Sequence, residues 1–200
     1  MLDPADCGPA CISLSQDVQG EVFEYPEDFF KERVHVIRRP KPDDYQIKEA
    51  AELIKKSKKP LIISGGGVFY SDATNELSSF AIKHNIPVTQ TVMGYSTMKK
   101  DHSHYLGAIG GLGGRAANNL SKETDMAIAI GTKLADFTTG SWTNFENPDF
   151  KLVSINAARF DANKHMAQAI VGDAKVSLIE LSHALGNWKA DDNWYEKSRI

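Results

Sequence analysis

Three glycine-containing segments carry the spacing with the most chemical content in this chain. Gly65-Gly66-Gly67 follows an apolar run and precedes a helical pattern, where a dinucleotide fold turns its backbone toward phosphate. The nicotinamide fingerprint is incomplete there. Tyr70 stands at the third glycine position, and the next apolar run ends in Thr89-Gln90-Thr91 without an acid for a ribose, so a tight turn is the competing reading. The second segment, Gly107-Ala108-Ile109-Gly110-Gly111-Leu112-Gly113-Gly114, leads into Arg115-Ala116-Ala117-Asn118-Asn119-Leu120. Gly111, Gly113 and Ala116 match a GxGxxG/A spacing, although no clear strand precedes them. Free N–H groups at a helix start, with the Arg115 guanidinium beside them, would attract an anion. Equally, Gly110 and Gly113 would let the loop pack against a neighbouring domain. Gly131-Thr132, with Asp136, Thr138, Thr139, Gly140 and Ser141 beyond, completes the set as a loop after a third apolar run, where open α/β sheets bind ligands. Gly65, Gly66, Gly67, Gly110, Gly113, Arg115, Gly131 and Thr132 are therefore the candidate cofactor-binding residues of a central crevice.

Other chemistry is thin. His102-x-His104 would be half of a metal site, but no cysteine lies near and Asp101 belongs to a turn, so a surface loop is favoured and no metal site is assigned. Neither G-x-S-x-G nor H-E-x-x-H occurs, and no catalytic residue is assigned. Cys7 and Cys11 are the only cysteines, and Cys11 heads the run Cys11-Ile12-Ser13-Leu14, where a small buried thiol is the ordinary reading.

The elements that must position these loops follow from periodicity. Five short apolar runs, at residues 60–63, 86–89, 126–130, 152–155 and 169–171, are rich in β-branched residues and lack alternation, as strands buried on both faces do. Between them lie helical patterns. Ile47, Ala50, Ala51 and Ile54 form one stripe with Asp43 or Asp44 as its cap. A second helix is expected from Ser71 or Asp72, burying Leu77, Phe80 and Ala81 and closing at Asn85, and a third from about Ala174, burying Leu178, Leu181 and Leu185 before Gly186. The basic turn Lys55-Lys56-Ser57-Lys58-Lys59 suits the negative end of a helix dipole better than nucleic acid. The pattern predicts an α/β, Rossmann-like, doubly wound parallel sheet of about five or six strands with helices on both faces. Residues 1–20 are expected to be the remnant of a preceding domain, 21–42 a linker, 43–186 the central domain and 187–200 a polar tail or linker.

Composition bounds the function classes. The 200 residues are 42% apolar, enough for a substantial core, and 23 basic against 26 acidic side chains give a formal charge of -3. That balance offers no footprint for nucleic acid or an anionic membrane. No apolar run approaches the ~18 residues of a spanning helix and no leader pattern opens the chain, so a cytoplasmic location is expected.

With these residues in view, the chain resembles the central domain of thiamine-diphosphate enzymes such as acetohydroxyacid synthase. The likeness runs from Gly8-Pro9-Ala10-Cys11-Ile12-Ser13-Leu14 with Gln16-Asp17-Val18-Gln19, through Lys59 to Val68 and Ile86 to Thr91 with Gly94, then Asp101-His102, the spaced glycines Gly107, Gly110 and Gly113 with Asn118, and Asp125 to Gly131. Asp17 to Glu21, Tyr25 to Phe30, Arg33 to Ile37 and Asp136 to Ser141 are similar to the branch of the family in inositol catabolism. What the resemblance implies is hydrolytic opening of a cyclic 1,2-diketone with thiamine diphosphate and Mg²⁺. A carboligase or decarboxylase like acetolactate synthase, and a domain binding NAD, FAD or ADP, are the alternatives. The resemblance also implies that the activating glutamate and the GDG metal motif lie in flanking pyrimidine- and diphosphate-binding domains, the partners of this one in a homo-oligomeric parent. Gly172-Asp173 is followed by Ala174, and Asn118-Asn119 comes earlier, so no catalytic residue carries over and the chain is expected to be a piece cut from a longer enzyme, inactive alone. FAD is not expected, because Lys133 and Asn156 replace the arginine and the strand-end acid of relatives that bind it.

Overall fold

The computed structural model describes residues 1–199 and divides after Arg38 into two compact units. In the first unit the only regular elements are the short 3₁₀ turns Val18–Gly20 and Glu27–Phe30. Tyr25 gathers an aromatic knot there, with Phe29 at 5.0 Å and Phe23 at 5.2 Å between ring centroids. Residues 11–14 have no strand pairing, and Cys7 and Cys11 are both exposed, which corrects the expectation of a buried thiol. An extended apolar run becomes a strand only when a neighbour takes up its backbone donors and acceptors. Within Met1–Arg38 none does.

Among the described residues the second unit carries six strands and eight α-helices: α1 (Asp44–Lys55), β1 (Pro60–Ser64), α2 (Gly66–Tyr70), α3 (Thr74–His84), β2 (Val88–Gln90), β3 (Tyr105–Ala108), α4 (Arg115–Glu123), β4 (Met126–Ile130), α5 (Asp136–Thr139), β5 (Lys151–Asn156), α6 (Arg159–Ala162), β6 (Gln168–Val171), α7 (Ala174–Leu185) and α8 (Asp192–Ser198). All pairings are parallel and the order is β3-β2-β1-β4-β5-β6, the doubly wound arrangement expected. The chain reverses its direction of winding between β1 and β4, and there the carboxyl ends of two central strands face the same crevice.

Alternation along β4 sorts the two layers of core. Met126, Ile128 and Ile130 pack with Ile62, Val153 and the buried stripes of α1, α3 and α7. Ala127 and Ala129 face the other side with Ile63, where Trp142, Phe145 and Phe150 supply the bulk that alanine lacks. Local chemistry sets the helix ends. Asp43 accepts the Tyr45 N–H at 2.8 Å, Asn85 closes α3 in the left-handed region at φ 54°, and Asp173 accepts from the N–H groups of Lys175 and Val176. The basic turn after α1 is held by Asp125, which accepts the N–H groups of Lys58 at 2.9 Å and Lys59 at 3.0 Å.

Four expectations change. A strand does precede the second glycine cluster: β3 is a half-buried edge strand containing Gly107 at φ +92°, so it lacks the β-branched run that marks the other five. Helix α3 begins at Thr74 because Asp72 sits at φ 51°, and the glycine triplet opens the short helix α2 where a simple turn competes as the reading. Residues 187–199 are no polar tail. Trp194 is 4% exposed, packs on Leu61 and Leu120, and donates its indole N–H to the carbonyl of Pro60 at 2.8 Å.

Candidate functional site

The structure brings Gly65, Gly67, Gly131 and Thr132 together at the switch point between β1 and β4, and there they close the crevice. Gly65 donates its N–H to the carbonyl of Ile130 at 2.8 Å, Gly67 to that of Gly131 at 2.9 Å, and Gly131 to that of Ile155 at 2.8 Å. A Cβ on Gly67 would stand 2.6 Å from the Cα of Gly131, and one on Gly65 would stand 2.3 Å from the Gly131 oxygen. These glycines let two backbones touch. Their amides are committed to carbonyls, so they do not form a cradle for a phosphate. Gly66 turns the other way, toward the carbonyl of Met93, which a Cβ would approach to 3.0 Å. Asn156 uses both ends of its amide on the neighbouring loop ends, donating to the carbonyl of Thr132 at 3.2 Å and accepting the Ala158 N–H at 3.0 Å.

Gly110 and Gly113, in the loop after β3, and Arg115, at the start of α4, lie apart from that seam. Asn118 pins this loop by accepting the Gly110 N–H at 2.9 Å and donating to the Gly110 carbonyl at 3.0 Å. Gly110 is at φ +94° and a Cβ there would meet the Phe137 oxygen at 2.2 Å, while Gly113 is crowded by the backbone of Ile109. Arg115 is exposed at the start of α4. Here too glycine serves close packing, between the loops after β3 and β4.

The histidine pair is structural. The backbone N–H of His104 donates to His102 Nδ1 at 3.2 Å, which leaves the Nε2 proton of His102 for the Ser78 hydroxyl at 2.8 Å. His104 is buried, with its Nε2 against Asn85 Oδ1 at 3.3 Å and its ring stacked on Tyr195 at 4.4 Å. Burial, reinforced by His102 and Arg199, pushes its pKa down to about 4. Asp173, in the Gly172-Asp173 pair, caps α7 and meets the Arg39 guanidinium at 3.1 Å. Among the described residues no three His, Cys, Asp or Glu side chains converge as metal ligands. The amides of Gly65, Gly67 and Gly131 are also committed, so these three glycines offer no N–H to a diphosphate.

Two features escape the sequence pattern. Each of the segments that follow β1 to β5 presents a large exposed apolar side chain, Phe69 in α2, Met93 in a 3₁₀ turn, Leu112 in a loop, Phe137 in α5 and Phe160 in α6, a fringe at the carboxyl end of the sheet. The second is a pocket of about 220 Å³ beside Gln90 at the β2–β3 edge. Neither is marked by a motif, because both depend on which loops the topology sets side by side.

Comparison with known proteins adds three findings. Residues 47–181 match the family model described as thiamine pyrophosphate enzyme, central domain. The chain is 45% identical over 198 residues to a 3D-(3,5/4)-trihydroxycyclohexane-1,2-dione hydrolase of Clostridium perfringens strain 13, covering 99% of this chain and 30% of that protein. Proteins of the same name from Clostridium botulinum strain Alaska E43 and Bacillus subtilis strain 168 are 49% and 44% identical over 92% and 96% of the chain. The chain spans about 30% of the length of these relatives.

Proposed function

The chain belongs to the thiamine pyrophosphate enzyme family as a central domain, and from that premise we propose that it is the structural and interface domain of an enzyme that hydrolytically opens a cyclic 1,2-diketone in inositol catabolism. One observation carries this reading. Identity to the dione hydrolases extends over 99% of the chain, well outside the 47–181 span that the family model covers and through the Met1–Arg38 unit. In this reading residues 1–20 end a pyrimidine-binding domain and residues 21–42 link it to the central domain. Thiamine diphosphate and Mg²⁺ are held by the flanking domains of a homo-oligomeric, cytoplasmic parent. The closed seam and the apolar fringe support an interface role: glycines stiffen the carboxyl end of the sheet, and exposed Phe69, Met93, Leu112, Phe137 and Phe160 offer the desolvable surface that a docked domain needs. Gly65, Gly66, Gly67, Gly131 and Thr132 then shape the floor of that surface, with Gly110, Gly113 and Arg115 along its margin.

A chimera tests the proposal. The corresponding third of the Bacillus subtilis hydrolase is replaced by this chain, and opening of the cyclic dione is followed alongside acetolactate formation from pyruvate. Retained dione hydrolysis is expected. A folded chimera that binds thiamine diphosphate but has lost the hydrolysis, or has gained the carboligation, overturns it. The isolated chain is expected to show no heat of thiamine-diphosphate binding and no turnover.

A further inference from the structure

We propose that the β2–β3 edge carries a binding pocket for a small polyhydroxylated anion, with Gln90 reading a hydroxyl and Lys99 and Lys100 holding the charge. Gln90 is 3% exposed and its side-chain Oε1 is buried without a hydrogen-bond partner among the described residues. An unpaired buried amide is unfavourable, and native proteins rarely keep one without a reason. It lines a pocket of about 220 Å³. The two ends of a glutamine amide exchange places by a simple flip, and a hydroxyl, both donor and acceptor, satisfies either orientation.

The backbone makes the space. Val88 pairs with Tyr105 and Gln90 with Ala108, so the register slips by one residue between the two pairs. The extra residue on β3 is a bulge at the edge of the sheet, a device that bends a strand and re-aims side chains next to sites. Gly107 sits in it at φ +92°, with nothing within 4 Å of the place a Cβ would occupy. Tyr95 and Tyr105 supply ring surface for the carbon skeleton, and Ser96 a further hydroxyl. The rim is cationic. Lys100 lies over the Tyr95 ring at 5.5 Å, and the ion pairs of the described residues engage other lysines. Two cations beside a buried amide select a ligand that is anionic at one end and hydroxylated at the other. The volume sets the upper bound, since drug- and nucleotide-sized ligands take about 300–1,000 Å³. A sugar acid or a phosphorylated triol is the right scale.

The test titrates the full chain with D-gluconate, glycerol 3-phosphate and myo-inositol by calorimetry at low salt, for the wild type, K99Q/K100Q and Q90L. Saturable binding of at least one of the two anions is expected, with myo-inositol at least about tenfold weaker and the double lysine variant losing about tenfold or more, the scale of one charge-assisted hydrogen bond. Which anion binds more tightly separates a carboxylate from a phosphate ligand. Q90L is expected to weaken binding while raising the thermal midpoint of the unliganded chain, because leucine removes the unpaired amide. No saturation with either anion, equal binding of myo-inositol, binding unchanged in K99Q/K100Q, or a Q90L variant that loses stability as a satisfied core glutamine would, each overturns the proposal.

Discussion

The seam at β1/β4 and the edge at β2/β3 treat the same amino acid in opposite ways. At the seam, Gly65, Gly67 and Gly131 are places where a side chain would strike another backbone, and their own N–H groups are taken up by carbonyls across it. At the edge, Gly107 has open space around its Cβ position, and its role lies in the φ of +92° that lets the bulge form. At the position where a doubly wound sheet ordinarily receives a nucleotide, three glycine N–H groups are here bonded to the protein's own carbonyls. The open space has moved two strands outward. A glycine-rich turn after the first strand is therefore not evidence of phosphate binding until its N–H groups are found free.

The contrast is sharpest in alanine substitutions. Of Gly67→Ala and Gly107→Ala, the first is expected to have the larger effect, because its Cβ would stand 2.6 Å from the Cα of Gly131, and backbone cannot rotate away as a side chain can. Overpacking of this kind costs about 3 kcal/mol, and the thermal midpoint of a chain of this size should fall by about 6–12 °C. Gly107→Ala meets no neighbour and incurs only the cost of a positive φ, about 1–2 kcal/mol, with a fall of a few degrees. Thermal unfolding of the two variants side by side checks the comparison. If Gly107→Ala proves as costly as Gly67→Ala, steric closure does not distinguish the two regions.

Much of the sheet is legible in the sequence for a definite reason. β1, β2, β4, β5 and β6 are buried on both faces or nearly so, and that burial requires the unbroken apolar runs that periodicity detects. β3 is half-buried and bulged, so its residues Tyr105, Leu106, Gly107 and Ala108 carry no such run. α8 escapes for a related reason: it is held by Trp194 reaching the carbonyl of Pro60, with Tyr195 stacked on His104 and Lys197 on Glu123, and two aromatics among polar residues have no period. The candidate residues lie at the expected strand ends, because glycine after an apolar run marks a close approach. What approaches is not legible. That Gly67 meets Gly131 rather than a phosphate depends on strand order, and that Gln90 is unpaired depends on a register shift that no local pattern encodes.

The edge is also where acid should act first. His104 closes the amino end of β3, its carbonyl accepting the Val88 N–H at 2.8 Å, while its ring is stacked on Tyr195 and its pKa is pushed down to about 4 by burial. Below its ordinary value of 6.5 the unfolded chain takes up a proton that the folded chain refuses. The neutral ring therefore contributes stability that is complete above pH 6.5 and is lost as the pH falls toward 4. His84, whose pKa burial also lowers, adds a change of the same sign. Glu123, held below the usual carboxylate range chiefly by its hydrogen bond from Lys197, titrates under its ordinary 4.5 and leaves the window between pH 5 and 7 to the histidines. Between pH 7 and 5 the thermal midpoint should fall by a few degrees, the share of His104 being on the order of 1 kcal/mol after allowance for solvent screening. His104→Gln keeps a polar partner for Asn85 and cannot take up the proton, so its midpoint should change less over the same interval. An unaltered slope in that variant would place the acid sensitivity elsewhere, with His84 the next residue to substitute.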